Sequence, residues 1–295
     1  MLWSTGLITL GIAAFYAIGA YASALLVIKL GLSFWLALPL AVIITGIIAL
    51  VLGLVMVRGA GFSFIILTMI FGIVVVEAVG QIQLFGGWAG FIGIPHPDPL
   101  PIPFRAPIEF TTHPPNYYLM LFLLLLIVLI FNALYTSRIG RAWKTIKLNP
   151  HLAQSLGINV YRYRLLAFVI GSSTVGAVGS FYASYYQSIQ PTVFGGWMSI
   201  LIQLHSVLGG LSFYILGPAL GATIMTFVPE LLRITSVIEP LITGALLIVL
   251  ILFLPSGILG AVRNLWVERK FPRPDTPILA QIVGTISTGI RNLRR

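Results

Sequence analysis

The sequence contains no cysteine and very few charged residues. Charged side chains make up 8% of its 295 residues, whereas soluble domains carry about 25%. The absence of cysteine excludes disulfide bonds, thiolate metal ligands and cysteine nucleophiles. Acidic residues are scarcest, with seven aspartates and glutamates against 17 lysines and arginines. So little charge argues against a soluble protein, and the sparse acids and histidines argue against a proton relay.

Motifs for catalysis and for nucleotide or metal binding are also absent. The sequence has no P-loop, no G-x-S-x-G pattern, and no H-E-x-x-H spacing among its four histidines. We therefore predict that the chain is not an enzyme, needs no cofactor or metal, and cannot bind ATP by the usual route. The net charge of +10 does not indicate nucleic acid, because membrane topology explains it better in so apolar a chain.

Long apolar runs dominate what the sequence does contain. Hydrophobic residues form 58% of the chain, and its mean hydropathy is +1.03. Runs of roughly 20 apolar residues can cross ~30 Å of hydrocarbon as helices, and the alternating pattern of a barrel is missing. We predict an all-α, polytopic transmembrane helix bundle of about eight spans, with a short sixth span that is broken or re-entrant. The spans are residues 6–28, 34–57, 62–83, 117–136, 165–186, 198–211, 213–232 and 237–255.

Lysine and arginine are distributed unevenly between the two ends of these spans. With residues 137–164 in the cytoplasm, 14 basic residues lie inside, and only Lys29, Arg105 and Arg233 lie outside. The positive-inside rule then predicts a multi-pass inner (plasma) membrane protein with both termini in the cytoplasm. We divide the chain into a transmembrane domain, residues 1–262, and a basic tail, residues 263–295. The tail has the apolar spacing of an amphipathic helix on anionic lipid.

A polar, basic segment interrupts the apolar runs at residues 137–164. Asn149 is a good helix cap, Pro150 suits a first helical position and Gly157 suits a helix end, so a short helix is predicted between them. Leu152 and Leu156, four residues apart, would present an apolar anchor on that helix. A water-exposed segment in such a chain is expected to contact a partner, and an ordinary solvated loop is the alternative.

Small residues occur at helical spacing in two other places. One is a ridge at every fourth position, which favours tight helix packing or marks a wall where helices part. The ridge consists of Ser172, Gly176, Ser180 and Ser184. The other is the first span, where Gly6, Gly11 and Gly19 predict a break or a close contact. Broken helices expose backbone groups through which transporters bind small zwitterions.

Two features remain open from the residues alone. The loop at about 84–116 is dense in proline, which predicts an extended segment that serves as a spacer or as a docking surface for an extracytoplasmic partner. Glu77 is one acid that lies clearly inside a predicted span. Ionisable groups at membrane depth are functional candidates, although snorkelling to the membrane surface or local pairing is an at least equal alternative for Glu77.

Five segments carry distinctive motifs in order along residues 6–260. They are Gly6–Tyr21, Phe85–Pro95, the basic segment as far as Asn159, Gly209–Ala222 and Phe253–Gly260. Together they resemble the permease subunits of branched-chain amino acid ABC transporters, of the LivM type. The chain departs from that pattern where Leu7 and Ile12 replace glutamines and Ile73 replaces an acid.

This resemblance implies the transmembrane permease subunit of an ATP-driven importer for branched-chain amino acids. The partners it implies are a second homologous permease subunit, two ABC ATPase subunits and an extracytoplasmic solute-binding protein, in addition to membrane lipid. The same machinery for urea, short amides or other amino acids is the alternative function. An ATPase-independent secondary transporter or channel is the alternative from another class.

The resemblance also implies roles for particular residues. The short helix of the basic segment would insert into a groove on the ATPase. The residues expected to couple the chain to the ATPase are Arg141, Lys144, Asn149, Leu152, Ala153, Leu156 and Gly157. The residues expected along the translocation pathway are Gly6, Thr9, Gly11, Phe15, Gly19, Tyr21, Gly86, Gly87, Gly209 and Gly210.

Overall fold

Helices make up most of the part of the chain that the structure describes. The computed structural model describes residues 2–59, 61–99, 110, 112–210, 215–231 and 244. Two compact units divide the chain, Met1–Ser206 and Val207–Arg295. The helices are α1 (Ile12–Leu30), α2 (Phe34–Met56), α3 (Phe62–Gln81), α4 (His113–Thr136), α5 (Arg138–Leu148), α6 (Pro150–Ser155), α7 (Val160–Tyr186), α8 (Gly196–Gly209) and α9 (Leu216–Leu231).

Five of these helices, α1, α2, α3, α4 and α7, are long and apolar enough to cross a membrane. They coincide with the first five predicted spans, which confirms the all-α polytopic architecture. The count of eight stays a prediction. Helices α8 and α9 have only 14 and 16 residues. The predicted span 237–255, apart from Gly244, and the basic tail 263–295 lie outside the described residues.

Helices α1, α2 and α7 pack closely at the centre of the first unit. At Gly19 a side chain would collide with the backbone of Gly176, and at Gly176 it would collide with the side chain of Thr45. The Ser180 hydroxyl donates a hydrogen bond to the Ser23 hydroxyl at 2.8 Å. Every member of the predicted small-residue ridge on α7 is buried. The ridge therefore brings three helices into close contact, as small residues do in membrane bundles.

Helices α3 and α4 are covered much less than α1 and α7. Only 6% of the most apolar stretch of α4 is buried, and long aliphatic side chains fill its exposed surface. Helix α3 buries one narrow stripe and leaves the opposite half of its circumference exposed. Such faces lie against lipid or against another subunit, because water is absent from the hydrocarbon core.

A two-stranded antiparallel sheet joins the loop after α3 to the end of α7. Its strands are β1 (Phe91–Ile92) and β2 (Ser188–Ile189), with Phe91 opposite Ile189. Just before β1, Gly90 has a φ of +71° and lies against the Ile189 carbonyl, so that no side chain would fit there. This pairing had no signal in the sequence, because two-residue strands are too short to show alternation.

The proline-rich loop is partly folded. A carboxylate oxygen of Asp98 accepts a hydrogen bond from the Phe34 backbone N–H at 2.9 Å, which caps α2. Pro114 and Pro115 lie in the first turn of α4 instead of an extended segment. Proline is tolerated there, because the first N–H groups of a helix have no partner within the helix. The described part of the loop is therefore attached to the start of α2 and to the strand that follows α7. Residues 100–109 are not among the described residues.

The second unit contains the described helix α9 and the end of α8. Within it, Gly209 lies directly against the backbone of Gly217, and a side chain at either position would collide with the other helix end. Gly210 has a φ of +106°, which side chains rarely adopt. The glycines of this motif therefore permit a close turn between two helices.

Candidate coupling surface and translocation segment

The basic segment is a folded pair of helices and not an open loop. The Ser137 hydroxyl accepts a hydrogen bond from the Ile139 N–H at 3.2 Å and so caps α5. Helix α5 buries Trp143 and Ile146 completely. The Trp143 indole N–H donates to the Tyr163 carbonyl oxygen at 2.9 Å. This bond attaches α5 to the start of α7, one of the helices long enough to span a membrane.

Asn149 separates α5 from the short helix α6. Its side-chain oxygen accepts hydrogen bonds from the backbone N–H groups of His151, at 2.9 Å, and Leu152, at 3.2 Å. Pro150 occupies the first helical position, and Gly157, just past the end, has a φ of +78°. The predicted cap, start and end of this helix are all confirmed. Each depends on the residue type at one position, which the sequence shows directly.

Helix α6 is held on one side and exposed on the other. Ala153 is fully buried and packs with Ile146 and Val160. Leu152 and Leu156 are 55% and 67% exposed. Leu148, at the end of α5, is 86% exposed. We name Leu148, Leu152 and Leu156 the leucine patch. Leu148 was not among the expected coupling residues, although its position four residues before Leu152 continues the spacing of Leu152 and Leu156 in the sequence.

The charged residues of the basic segment that carries the leucine patch are all cationic. Residues 137–164 contain six lysines and arginines and no acid. Arg141 donates to the Thr136 carbonyl oxygen at 3.3 Å, at the end of α4. The Lys144 ammonium lies 3.8 Å from the centroid of the Tyr135 ring. Both cations are therefore positioned by the end of α4, and their charge adds to an electropositive surface around exposed leucines.

The chain from Gly6 to Gly11 is not helical, and this break precedes the first span. The Leu10 N–H donates to the Thr68 hydroxyl at 3.1 Å. The Gly11 N–H donates to the Thr9 hydroxyl at 3.2 Å. At the start of α1, the Ala13 N–H donates to the Ser199 hydroxyl at 2.9 Å. These side chains bond backbone donors that a broken helix leaves free, since α1 has no side-chain cap of its own.

The glycines predicted a break or a close contact in a span beginning at residue 6; the helix begins instead at Ile12, after the non-helical residues 6–11, and the close contact is at Gly19. Two of the hydroxyls that support the non-helical stretch were missed. Thr68 and Ser199 lie far away in the sequence, on α3 and α8, so no local pattern indicates them. We call Gly6–Gly11 the broken segment. A 3-10 turn, Leu2–Thr5, leads into it and packs against α5 and α7. A side chain at Gly6 would come within 3.9 Å of the Lys147 backbone. The broken segment therefore begins beside the basic segment.

Other expected pathway residues lie in the packed interior of α1. Phe15 is buried against Phe71 and Phe168, with ring centroids 5.3 Å apart in both pairs. Gly19 is buried against α7. Tyr21 is 1% exposed and lies among three phenylalanine rings. These rings belong to Phe85, Phe91 and Phe194.

Two pairs of expected pathway glycines lie outside α1. Gly86 and Gly87, with φ values of +81° and +60°, form the turn after α3. Gly209 and Gly210 belong to the second unit. The structure thus places Gly6, Thr9, Gly11, Phe15, Gly19 and Tyr21 along one continuous stretch. No group of three or more histidines, aspartates and glutamates is placed to hold a metal ion among the described residues.

These features together define a class of protein. A multi-pass helical membrane protein whose first span follows a non-helical stretch, and whose basic helical segment lies beside the start of that stretch, has the organisation of a membrane transport subunit. The chain belongs to the family described as the permease component of branched-chain amino acid transport systems, whose profile matches residues 1–255. No solved structure matches it.

Several curated proteins are similar in sequence. The high-affinity branched-chain amino acid transport system permease protein LivM of Salmonella typhimurium is 30% identical over 277 residues, covering 88% of this chain and 65% of the relative. LivH of Escherichia coli is 29% identical over 154 residues, covering 52% of this chain and 49% of LivH. The nucleoside ABC transporter permease protein NupC of Lactococcus lactis is 30% identical over 98 residues, covering 28% of this chain and 31% of NupC. The chain thus spans just under two thirds of the LivM length.

Proposed function

We propose that this chain is a transmembrane permease subunit of an ATP-driven ABC importer for branched-chain amino acids. A second homologous permease subunit, two ABC ATPase subunits and an extracytoplasmic solute-binding protein complete the complex. The chain supplies part of the translocation pathway, and ATP hydrolysis belongs to the ATPase subunits. Family membership and the LivM and LivH relatives support this proposal.

The observation that carries the coupling role is the leucine patch. Three large apolar side chains are exposed on the basic segment, outside the five candidate spans. Exposed apolar surface of this kind marks a protein contact, because covering it with another protein removes it from water. Cations around the patch would steer an acidic surface towards it. We assign the ATPase contact to α6 and its surroundings, including Arg141, Lys144, Asn149 and Gly157. Ala153, expected among the contact residues, is buried and instead holds α6 against Ile146 and Val160.

A direct route connects this contact to the pathway. Helix α5 contacts the turn Leu2–Thr5, and that turn continues into the broken segment. Closure of the ATPases would press α6 and α5 and so move the broken segment and α1 relative to α3. Gly6, Thr9 and Gly11 are then the moving part of the pathway. Phe15, Gly19 and Tyr21 transmit the movement along α1, and Gly86, Gly87, Gly209 and Gly210 allow the turns that accompany it.

The proposed orientation places the basic segment and both termini in the cytoplasm. The distribution of lysine and arginine supports it. Residues 1–262 form the permease body within the inner (plasma) membrane. Residues 263–295 lie on its inner leaflet as an amphipathic basic helix, an assignment that rests on the sequence alone.

The coupling role is tested by adding a charge to the leucine patch. We expect Leu152→Asp to abolish co-purification of the ATPase subunits with the affinity-tagged chain, because a carboxylate cannot be buried unpaired in an apolar contact. ATP-dependent uptake of radiolabelled leucine into proteoliposomes is expected to fall to background. Gly157→Arg should act in the same way, because a side chain is strained at a φ of +78°.

The matched control is Gln154→Asp, which adds the same charge at another exposed position of α6. We expect this variant to bind the ATPases and to transport leucine normally. Normal co-purification of the ATPases with Leu152→Asp would remove the coupling assignment. Competition of leucine uptake by urea, short amides or uridine would redirect the proposal to another solute within the same machinery.

A further inference from the structure

Three helices of the first unit meet at a level that marks the middle of the membrane. A side chain at Gly19 of α1 would collide with Gly176 of α7, and one at Gly176 would collide with Thr45 of α2. Thr45 is the central residue of α2, whose 23 residues extend about 35 Å. This length matches a hydrocarbon core of ~30 Å. The level of these three residues is therefore close to the midplane.

Helices α1 and α7 run in the same direction from this level. Ser23 and Ser180, whose hydroxyls are bonded, each lie four residues after one of the two glycines in contact. With the basic segment before α7 in the cytoplasm, both helices run outward. Helix α7 ends at Tyr186, which lies about 15 Å beyond Gly176. The end of α7 therefore reaches the outer surface of the membrane.

Helix α8, which follows α7 in the chain, begins inside the membrane. The Ser199 hydroxyl accepts a hydrogen bond from the Ala13 N–H at 2.9 Å. Ala13 precedes Gly19 on α1 and lies about 9 Å to the inner side of the midplane. Helix α8 begins at Gly196, less than one turn before Ser199. The connection of residues 187–195 therefore returns from the outer surface into the hydrocarbon core, and it does so without forming an α-helix.

Residues of this connection alternate between buried and exposed positions. Ile189 and Pro191 are buried, whereas Ser188, Gln190 and Thr192 are exposed. We name Ser188, Gln190 and Thr192 the polar side of the connection. Irregular backbone at membrane depth is stable only where protein buries it or where it lines a water-filled cavity. Three polar side chains exposed at alternate positions favour the cavity, because lipid offers them no hydrogen bonds.

Phe194 lies at the inner end of the connection and closes the space beside the start of α1. It is 1% exposed, and its ring contacts those of Tyr16, Tyr21 and Tyr182, with centroids 5.5, 6.0 and 5.9 Å away. Tyr16 lies one turn above Ile12, where the broken segment ends and α1 begins. Phe194 is therefore placed between the polar side of the connection and the broken segment.

We propose that residues 187–196 form a re-entrant loop and that Phe194 is the outer gate of the translocation pathway. The polar side of the connection lines an aqueous vestibule, and the aromatic contacts of Phe194 close the inner end of that vestibule. A side chain at Gly196 would meet no atom within 4 Å, so the backbone next to the gate has room to move. This inference rests on the proposed function, which supplies the pathway and its direction.

The absence of native cysteine allows single reporter thiols to test this gate. Thr192→Cys lies on the polar side of the connection, and Leu10→Cys lies in the broken segment, where Leu10 is half-buried. A membrane-impermeant, cationic methanethiosulfonate, which reacts with thiolates, is added outside right-side-out vesicles that contain the whole complex without nucleotide. We expect position 192 to react and position 10 to be protected. Adding Phe194→Ala should make position 10 reactive and let preloaded leucine leak out without ATP.

Phe181→Ala is the matched control, because Phe181 is also a buried aromatic residue of α7 but packs against Phe34 and Leu119. It should leave position 10 protected and the vesicles tight. Phe194→Leu is a milder change that should expose position 10 in part, and it serves if the alanine variant does not fold. The gate assignment is wrong if position 10 stays protected, without a leak, in every Phe194 variant that co-purifies with the ATPases. Equal exposure of position 10 in the control also removes it.

Reaction at position 192 tests the vestibule without any change at Phe194. If Thr192→Cys does not react, then lipid, another segment of the chain or the second permease covers the connection, and the vestibule is wrong. Failure of the proposed function has a different signature. In that case the unsubstituted chain shows no ATP-dependent leucine uptake, whereas the labelling still shows whether Phe194 separates the two reporter positions.

Discussion

Single small residues set the distances between the helices of this protein. Gly19 and Gly176 bring α1 and α7 into backbone contact, and a bond between the Ser23 and Ser180 hydroxyls lies beside that contact. Helix association in lipid gains little from the hydrophobic effect, so van der Waals contact and interhelical hydrogen bonds carry it. The free-energy cost of adding a methyl group at a glycine therefore depends on which atoms the methyl group would meet. Two glycines of α7 differ in this respect.

At this scale we predict that Gly176→Ala destabilises the protein, whereas Gly171→Ala does not. The new methyl group at position 176 would overlap Thr45, while at position 171 it would meet no atom within 4 Å. Overpacking of this kind costs about 1–3 kcal/mol. Alanine at the open position gains up to about 1 kcal/mol of helix propensity. The midpoint of thermal unfolding in detergent measures both. Equal midpoints for the two variants would contradict the contact.

The starts of α1 and α2 are completed by residues that are distant in the sequence. The first N–H of α2 bonds Asp98, and the start of α1 bonds Ser199. Helix α6, in contrast, uses its own neighbour Asn149. A local cap is visible in the sequence, whereas a cap from another element appears only when the elements have packed. A cap from another element also connects the two elements. Asp98, for example, fixes the proline-rich loop to α2.

At the scale of elements we predict that Asp98→Ala loosens this connection while Asp98→Asn largely preserves it. Asparagine retains a side-chain oxygen that can accept from the Phe34 N–H, and alanine does not. Loss of such a cap costs typically about 1 kcal/mol. Thermal unfolding and limited proteolysis of the loop at about 84–116 measure the effect. The cap assignment is wrong if the alanine variant resists protease as well as the parent does.

At the scale of the whole molecule, the exposed apolar surfaces differ in the polar and charged residues that accompany them. The exposed sides of α2 and α4 are largely apolar, α3 exposes Glu77 near its end, and the leucine patch lies in a cationic segment without an acid. A chain with so much exposed apolar area is expected to function in a membrane and beside partner subunits. The positive charge on one side then gives the proposed orientation.

This orientation predicts which surface each reagent reaches. We expect a membrane-impermeant maleimide to modify Ile92→Cys on intact cells, because β1 lies in the loop that is placed outside. Leu156→Cys should react only after the membrane is opened and the ATPases are removed. Both side chains are well exposed, at 77% and 67%, so access and not local burial decides the result. The reverse pattern would invert the proposed topology.

The all-α membrane architecture, the approximate positions of the first five spans, the close contact at a glycine of the first span and the limits of α6 could all be predicted from the residues alone. Each depends on local properties, namely apolar run length, glycine spacing and the chemistry of Asn149, Pro150 and Gly157. The supporting hydroxyls of Thr68 and Ser199, the β1–β2 pairing and the cap by Asp98 could not be, because they join residues far apart in the chain. Tertiary packing also decides which residues of the membrane-spanning helices are buried and which are exposed. It buries Phe15 and Tyr21 inside the bundle and turns Glu77 away from it, since only the contacts of a helix establish which side faces its own chain.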